Sequence, residues 1–196
     1  MGDSYFCGIT KETSPFILTY SGNKFYYYEE FLEQYPYDIK EIAHVLSNIC
    51  RYNGHSLYFY SVALHSALCA NICKHTGNFK AALALLLHDA SEVYITDIPG
   101  PLKGIFGNVF QAVENIQSHI YKRYGIDESD SKIIDVVKEI DMKMCYTEMR
   151  QQNPRLLPDS DVYADKEIFD VTIMPLTPKE SEMYFLETYE SLIKGS

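Results

Sequence analysis

The sequence predicts an all-α fold, a single-domain helical bundle with a short β-hairpin near its N-terminus. Apolar residues recur at helical spacing along most of the chain, and several of these stretches begin with a helix-capping residue. Two runs that favour β-structure lie within residues 14–28. The length of 196 residues suits one domain with a sizeable core.

The hairpin is predicted at residues 14–28 because the two β-favouring runs flank Ser21-Gly22-Asn23. Such a small ribbon is marginal unless it packs on something larger. We therefore divide the single domain into an N-terminal hairpin appendage over residues 1–36, a helical core over 37–150, and a loop with a last helix over 151–196.

The first two helices are placed by their capping residues. Asp38 followed by Glu41 is typical of a capping box, and the helix that it opens is predicted to run to about Cys50. Ser61 caps the second helix. His65 is expected to point into the core, because it shares one face of this helix with Val62, Leu68, Cys69 and Ile72.

Asn78 opens the third helix, which is predicted to continue through about Tyr94 until Ile98-Pro99-Gly100-Pro101 ends it. A fourth helix is predicted from Ile105 to Tyr124, with Gly125 at the C′ position. Its apolar face consists of Ile105, Val109, Val113, Ile116 and Ile120.

The fifth helix is predicted to begin near Ser129 and to carry an unexpected carboxylate, Asp141, within its apolar stripe. A polar loop with prolines follows at residues 151–163. Thr177 and Glu180 then form a capping box with Pro178 at N1, which starts a last helix that ends at Gly195. The stripe of the fifth helix consists of Ile133, Val136, Val137, Ile140, Met144 and Cys145.

Composition limits the classes of partner. The formal net charge is -10 and the basic residues form no run, which disfavours polymeric nucleic acid and anionic membranes as partners. No secretion signal is present at Met1 and no apolar stretch approaches the ~18 residues of a membrane-spanning helix, so we expect a cytoplasmic protein. The five cysteines are interpreted as reduced thiols, with Cys69 and Cys73 as core residues rather than a metal pair.

Polar residues interrupt the apolar faces of three predicted helices. They are His65, the adjacent pair His88 and Asp89 that follows the apolar run Leu83 to Leu87, and Asp141. A single buried histidine is usually a satisfied core residue. Two imidazoles and two carboxylates on neighbouring core helices can together bind one divalent ion and leave positions for water and a substrate oxygen.

The order and context of these residues resemble the HD-domain phosphohydrolase superfamily, in particular bacterial 5′-deoxynucleotidases and phage-encoded relatives. In those proteins an arginine-aromatic pair precedes a Ser-Val-Ala-Glu/Gln-His-Ser segment, and a His-Asp-Ala-Ser-Glu segment runs into Gly-Asp-Ile-Pro and Pro-x-Lys. The resemblance spans roughly residues 38 to 148. The matching segments here are Arg51-Tyr52, Ser61-Val62-Ala63-Leu64-His65-Ser66, His88-Asp89-Ala90-Ser91-Glu92, Thr96-Asp97-Ile98-Pro99 and Pro101-Leu102-Lys103.

The resemblance implies an HD-domain helical bundle whose metal ligands are His65, His88, Asp89 and Asp141. It gives Glu92 the role of positioning and deprotonating the attacking water. The cofactor would be a divalent metal ion such as Zn, Co, Mn or Mg, which lowers the pKa of a bound water.

The resemblance also implies a substrate pocket. Arg51 and Lys103 are candidate phosphate ligands, because the leaving group brings several negative charges. Asp97 would hold the sugar or the water network, although it could equally be a turn residue ahead of Pro99. Tyr52 would form an aromatic wall against the sugar.

Two residues depart from the pattern of the deoxynucleotidases. Tyr52 stands where they carry Trp, which puts the selectivity for deoxyribose in question. Leu64 stands where relatives have Glu or Gln beside the metal histidine. If that side chain helps to orient a ligand or the substrate, its loss weakens the support of the site here.

The sequence thus predicts a metal-dependent phosphohydrolase acting on a small deoxynucleotide. The substrate is either a monophosphate, cleaved to nucleoside and phosphate, or a triphosphate such as dATP, which would release triphosphate. The alternative is a nucleotide-sensing or interaction module that retains the fold without turnover. The family resemblance further implies a homo-oligomer, in the host cytoplasm if the protein is phage-encoded.

Overall fold

A computed structural model describes residues 14–102, 107–152 and 165–195. Within them the chain is mostly helical and contains one two-stranded antiparallel sheet, which confirms the predicted helical class with its hairpin. The strands are β1 (Phe16–Leu18) and β2 (Lys24–Tyr26); the helices are α1 (Glu29–Leu32), α2 (Ile39–Asn48), α3 (Val62–Lys74), α4 (Phe79–Leu87), α5 (Glu92–Ile95), α6 (Gly107–Arg123), α7 (Ser131–Gln152) and α8 (Pro178–Gly195).

The hairpin forms where it is predicted. β1 pairs with β2 so that Ile17 stands opposite Phe25, and the turn contains Gly22 with a φ of 78°, a conformation that glycine adopts without strain. Phe25 is completely buried while β1 is exposed along its length. The hairpin therefore uses one face of β2 to pack on the helices, as so small a ribbon requires.

Most of the predicted helix ends are confirmed. Ser61 Oγ accepts a hydrogen bond from the Leu64 amide, and the Asn78 side chain accepts one from the Ala81 amide. Thr177 and Glu180 form a complete capping box. At the end of α6, Gly125 adopts a φ of 69° as a C′ residue should.

The capping box predicted at Asp38 and Glu41 is wrong in its second half. Asp38 caps α2 by accepting from the Lys40 amide, but Glu41 does not turn back to the N-cap. Its side chain is buried and accepts hydrogen bonds from Tyr35 and from the Ser21 amide. A hydroxyl six residues away and an amide 20 residues away thus replace the local partner that the capping box assumes.

The third helix is also different from the prediction. Instead of running to about Tyr94 it ends at Leu87, and the four-residue α5 follows after a tight turn. Side chains compete with the helical hydrogen bonds here, because His88 Nδ1 donates to the Leu85 carbonyl and Gln117 Nε2 donates to the Leu87 carbonyl. Thr96, at a φ of 97°, ends α5 before the proline segment is reached.

The predicted faces of the fourth and fifth helices are partly correct. On α6, Ile116 and Ile120 are fully buried and Val113 is half-buried, whereas Ile105 and Val109 lie outside the described side chains. On α7, Ile133, Val137 and Met144 are buried, whereas Val136, Ile140 and Cys145 are only half-buried. The inner face of α7 instead continues through Thr147 and Glu148, and the helix extends into the loop predicted at 151–163 by including residues 151 and 152.

α3 occupies the centre of the bundle, where it packs against α2, α4, α7 and α8. It is buried nearly all round, as is the apolar stretch of α4 that contains Leu85, Leu86 and Leu87. Cys69 and Cys73 are buried free thiols, as predicted. None of the described helices combines the length and apolar character needed to cross a membrane.

Candidate metal centre

Three segments of the bundle bring four potential ligand atoms to one point. α3 contributes His65 from the completely buried interior, the turn after α4 contributes His88 and Asp89, and α7 contributes Asp141. His65 Nε2 lies 3.3 Å from His88 Nε2 and 3.1 Å from Asp141 Oδ1. His88 Nε2 lies 3.2 Å from Asp89 Oδ2, so the sequence-predicted ligands are brought together.

The hydrogen bonds of the two histidines define their tautomers. His65 Nδ1 contacts Glu148 Oε1 and His88 Nδ1 lies 2.7 Å from the Leu85 carbonyl oxygen, both of which can only accept. Each Nδ1 therefore carries the proton, and in the neutral histidines both Nε2 atoms present lone pairs to one another and to the carboxylates. These facing acceptors can be satisfied by a cation between them, or by protons on Nε2, in which case the imidazoles donate to the carboxylates.

The spacing of these atoms suits one divalent ion. Nitrogen and oxygen ligands bound at 2.0–2.2 Å lie roughly 3 to 3.5 Å from one another around a common metal. The measured separations include 3.8 Å between His65 Nε2 and Asp89 Oδ2 and 3.6 Å between His88 Nε2 and Asp141 Oδ1, slightly beyond that range. His65, His88 and Asp89 offer ligand atoms that all lie within 4.8 Å of one another, and Asp141 adds an oxygen beside both histidines.

The electrostatics of the cluster favour positive charge. Burial by itself would lower the pKa of His88, but Asp89 and Asp141 outweigh it and raise that pKa above its ordinary value. The pKa of Asp141 is lowered despite burial, because His65 and His88 hydrogen bond to its carboxylate. The same carboxylates that attract protons to the imidazoles would attract a metal ion.

Glu148, which sequence reasoning did not identify, supports this cluster from α7. Its carboxylate is fully buried and accepts from His65 Nδ1, from the Tyr60 hydroxyl at 2.7 Å, and from Arg51 Nε at 3.2 Å. Histidines that bind metals commonly donate their other ring proton to a carboxylate, which fixes the ring and increases its basicity. The sequence gives one indication of this role: Glu148 follows Asp141 by seven residues, which places the two side chains on the same side of the helix.

Leu64 is buried and its side chain offers no hydrogen bond, as its identity requires. His65 nevertheless has a hydrogen-bond partner at Nδ1. Glu148 provides it from a different helix.

Arg51 and Tyr52 lie beside the cluster. Arg51 Nη1 is 3.4 Å from Asp89 Oδ2, so its guanidinium connects this carboxylate with Glu148. The Tyr52 hydroxyl also donates to Glu148, and its backbone has a φ of 57°, an uncommon value for a non-glycine residue. Tyr52 lines a mainly apolar cavity of about 280 Å³ together with Asn53, His55, Ser56, Pro99, Met149 and Gln152.

Glu92 lines a second cavity, of about 390 Å³, together with His88 and Asp89. Its Oε2 atom is buried and has no hydrogen-bond partner among the described residues. Burial, followed by the charges of Asp89 and Asp97, raises the pKa of Glu92 well above its ordinary value. A residue that lines a cavity and has a carboxyl group with a raised pKa can exchange a proton with a bound molecule.

The structure describes only one of the two remaining predicted site residues. Asp97 is half-buried within electrostatic range of the cluster; burial raises its pKa, while Arg51 and a hydrogen bond from the Tyr52 backbone oppose that effect. Lys103 lies outside the described residues.

The chain is 36% identical over 180 residues to the uncharacterized protein YfdR of Escherichia coli (strain K12), and the match covers 90% of this chain and 95% of that protein. It is 31% identical over 105 residues to an uncharacterized protein of Rhodobacter capsulatus, with 50% of this chain and 54% of that protein covered. No protein-family model matches the chain. The first of these similarities extends over nearly the whole chain.

Proposed function

The chain belongs to the family of the Escherichia coli protein YfdR, and we propose that it is an HD-domain, metal-dependent phosphohydrolase that cleaves the 5′-phosphoester of deoxynucleotides. The observation that carries this proposal is the convergence of His65, His88, Asp89 and Asp141, with Glu92 lining a cavity beside them. The similarity to YfdR establishes the family, but the name of that protein states no activity.

We assign the four converging residues as ligands of one divalent ion, because their facing lone pairs and carboxylates form the donor set that such ions prefer. When bound, the ion would polarise a phosphoryl oxygen and lower the pKa of a water molecule. Zinc, cobalt, manganese and magnesium are all compatible with a set of two imidazoles and two carboxylates.

Glu92 is proposed to orient the attacking water and to take its proton. The oxygen of this water would form the new bond to phosphorus while the bond between phosphorus and the 5′-oxygen breaks, and Glu92 would pass the proton on to the departing 5′-oxygen, which becomes the hydroxyl of the nucleoside. The raised pKa of Glu92 supports this role, because burial and the neighbouring carboxylates make its carboxylate a stronger proton acceptor than an ordinary glutamate.

Arg51, Tyr52, Asp97 and Lys103 are proposed to line the substrate site. The cavity beside Tyr52 is mainly apolar and suits the nucleoside part of a substrate. The cavity beside Glu92 is lined by four carboxylates, those of Asp89, Glu92, Glu114 and Glu128, with no lysine or arginine among its described lining residues. A phosphate group would enter such surroundings only with its charge offset by the metal and by Arg51.

The proposal covers both monophosphates and triphosphates. Positively charged side chains would distinguish a site for one phosphate from a site for three, and one candidate, Lys103, lies outside the described residues. The deciding experiment offers deoxy- and ribonucleoside mono- and triphosphates to the metal-free protein with added manganese, cobalt, zinc or magnesium. Phosphate and triphosphate are measured separately as products. Turnover that requires metal and disappears with a chelator is the expected result.

Binding of deoxynucleotides without any product, in the presence of every metal, would contradict the proposal and identify a nucleotide-sensing module instead. A Glu92→Gln protein is the matched control for the reaction step. It should bind metal and nucleotide like the natural protein and lose turnover.

A further inference from the structure

α5 holds Glu92 but is too short to be stable by itself. It comprises only the four residues Glu92–Ile95, and a single isolated turn of helix is unfavourable because its nucleation cost is not recovered. Contacts with the rest of the protein must therefore fix its position. On the side of α6, the Ser91 amide donates to Gln117 Oε1 at 3.0 Å.

On the other side, Tyr94 anchors α5 through three different contacts. Its ring stacks on Phe25 of β2, with the centroids 3.9 Å apart and the planes 12° apart. Its carbonyl accepts from the Tyr27 hydroxyl at 2.6 Å. Its hydroxyl donates to Glu41 Oε1 at 3.1 Å. Residues of the hairpin and of α2 thus hold the turn from which Glu92 projects.

Glu41 is the centre of these contacts. It is 1% exposed and lies among aromatic rings, where a carboxylate is costly unless hydrogen bonds satisfy it. Besides Tyr94, the Tyr35 hydroxyl donates to Oε1 at 2.7 Å and the Ser21 amide donates to Oε2 at 3.1 Å. No arginine or lysine forms an ion pair with Glu41 in the part of the chain that the structure describes.

The donors keep this buried group ionised. Burial by itself raises the pKa of Glu41, but the hydrogen bonds from the hairpin turn and Tyr35 outweigh it and leave the pKa lowered. An ionised carboxylate accepts hydrogen bonds from all three donors at once. An apolar residue of the same size would fill the space but would not orient any of the three donors. Glu41 therefore fixes the relative positions of the hairpin turn, Tyr35 and α5.

We propose that Glu41 is a positioning residue for Glu92, and that the hairpin which it joins to α5 through Tyr94 is part of the catalytic apparatus rather than an appendage. The catalytic part of this inference rests on the proposed function. The structural part, that Glu41 and Tyr94 hold α5 in place, can be measured without turnover.

The test compares Tyr94→Phe and Glu41→Gln with a control, Tyr184→Phe, in the metal-loaded protein. Tyr94→Phe removes only the hydroxyl that reaches Glu41. Tyr184→Phe likewise removes one half-buried tyrosine hydroxyl, which accepts from Asn71 Nδ2 at 3.0 Å, but it lies on α8, away from α5. The readouts are kcat and KM on the best deoxynucleotide, and amide hydrogen exchange of α5 with α3 as an internal reference.

We expect Tyr94→Phe to lower kcat about 10-fold, because small displacements of a reacting group reduce rates strongly, with KM and the manganese affinity within about twofold. The amides of Glu92–Thr96 should exchange about 5- to 10-fold faster, the effect of one lost hydrogen bond, while those of α3 stay unchanged. Glu41→Gln should lower kcat and accelerate the exchange of α5 more strongly than Tyr94→Phe does. Tyr184→Phe should leave kcat, KM, the manganese affinity and the exchange of α5 unchanged.

Equal acceleration of exchange in α3 and α5 would show a general loss of stability and would overturn the inference. So would unchanged exchange in α5 in both variants, or an unchanged kcat in both. If the natural protein turns over no nucleotide with any metal, the proposed function fails, and the exchange comparison still decides whether Glu41 holds α5. Should Glu41→Gln not fold, Tyr94→Phe provides the decision.

Discussion

Replacement of Glu148 by glutamine tests the electrostatics of the candidate metal centre, because this one carboxylate accepts hydrogen bonds from four side chains. They are His65, Arg51, Tyr52 and Tyr60. Glutamine keeps the volume but accepts through only one oxygen, and its amide group would face Arg51 Nε, which cannot accept. Hydrogen bonds to a charged group contribute about 1.5–3 kcal/mol each, and removing one partner of a buried ion pair costs about 3–5 kcal/mol. We expect the free energy of unfolding of the metal-free protein to fall by about 3 kcal/mol or more.

The same variant should bind metal less well. His65 would lose the carboxylate that fixes its ring, and loss of such a partner typically weakens metal affinity 10- to 100-fold. Urea unfolding in the presence of chelator gives the first quantity, and calorimetric titration with zinc or manganese gives the second.

Glu139→Gln is the matched control, since it makes the same chemical change at an exposed position of α7 and should alter stability by no more than about 0.5 kcal/mol. A Glu148→Gln protein that resembled this control in both stability and metal affinity would refute the reasoning about the cluster.

The difference in stability between the natural protein and Glu148→Gln should depend on pH, because the pKa of Glu148 is shifted in the folded protein. Burial by itself would raise it, but Arg51 and His65 outweigh burial and lower the pKa to about 2. A carboxylate whose pKa is lower in the folded than in the unfolded state stabilises the protein above its ordinary pKa and loses that contribution in acid. The stability difference between the natural protein and Glu148→Gln should therefore be full above about pH 5 and shrink as the pH falls toward about 2.

Three further outcomes are expected. Glu92→Gln should lower kcat by about 10²- to 10⁴-fold while leaving metal affinity nearly unchanged, as steady-state kinetics and titration will measure; full activity in this variant would exclude Glu92 as the base. Asp141→Asn should weaken metal binding at least about 10-fold, because an amide replaces the anionic oxygen beside both histidines, and an unchanged affinity would exclude Asp141 as a ligand. Saturation with the native metal at about 100 times its Kd should stabilise the protein by about 2.7 kcal/mol in thermal or urea unfolding, with no such gain in Asp141→Asn at the same concentration.

Glu148 also explains how the cluster is supported although Leu64, the residue next to His65, offers no hydrogen bond from its side chain. The hydrogen bond to His65 Nδ1 comes from α7 instead of from the residue beside the histidine on α3. Hydrogen bonding requires only that a partner be near in space, so the residues next to His65 in the chain do not reveal Glu148.

The sequence by itself determined the helical class, the hairpin and most helix ends, because periodicity and capping are local properties of neighbouring residues. It also identified His65, His88, Asp89 and Asp141 as anomalies on apolar faces, and these are the residues that the fold brings together. Only the tertiary structure decided where local signals compete with distant partners. The break after Leu87 depends on Gln117, the orientation of Glu41 depends on Tyr35 and the hairpin turn, and the role of Glu148 depends on His65. Tyr35 is six residues from Glu41 and the other partners are 20 or more residues away, so none is found within one helical turn. A buried polar group binds whichever donor or acceptor the packed core places beside it.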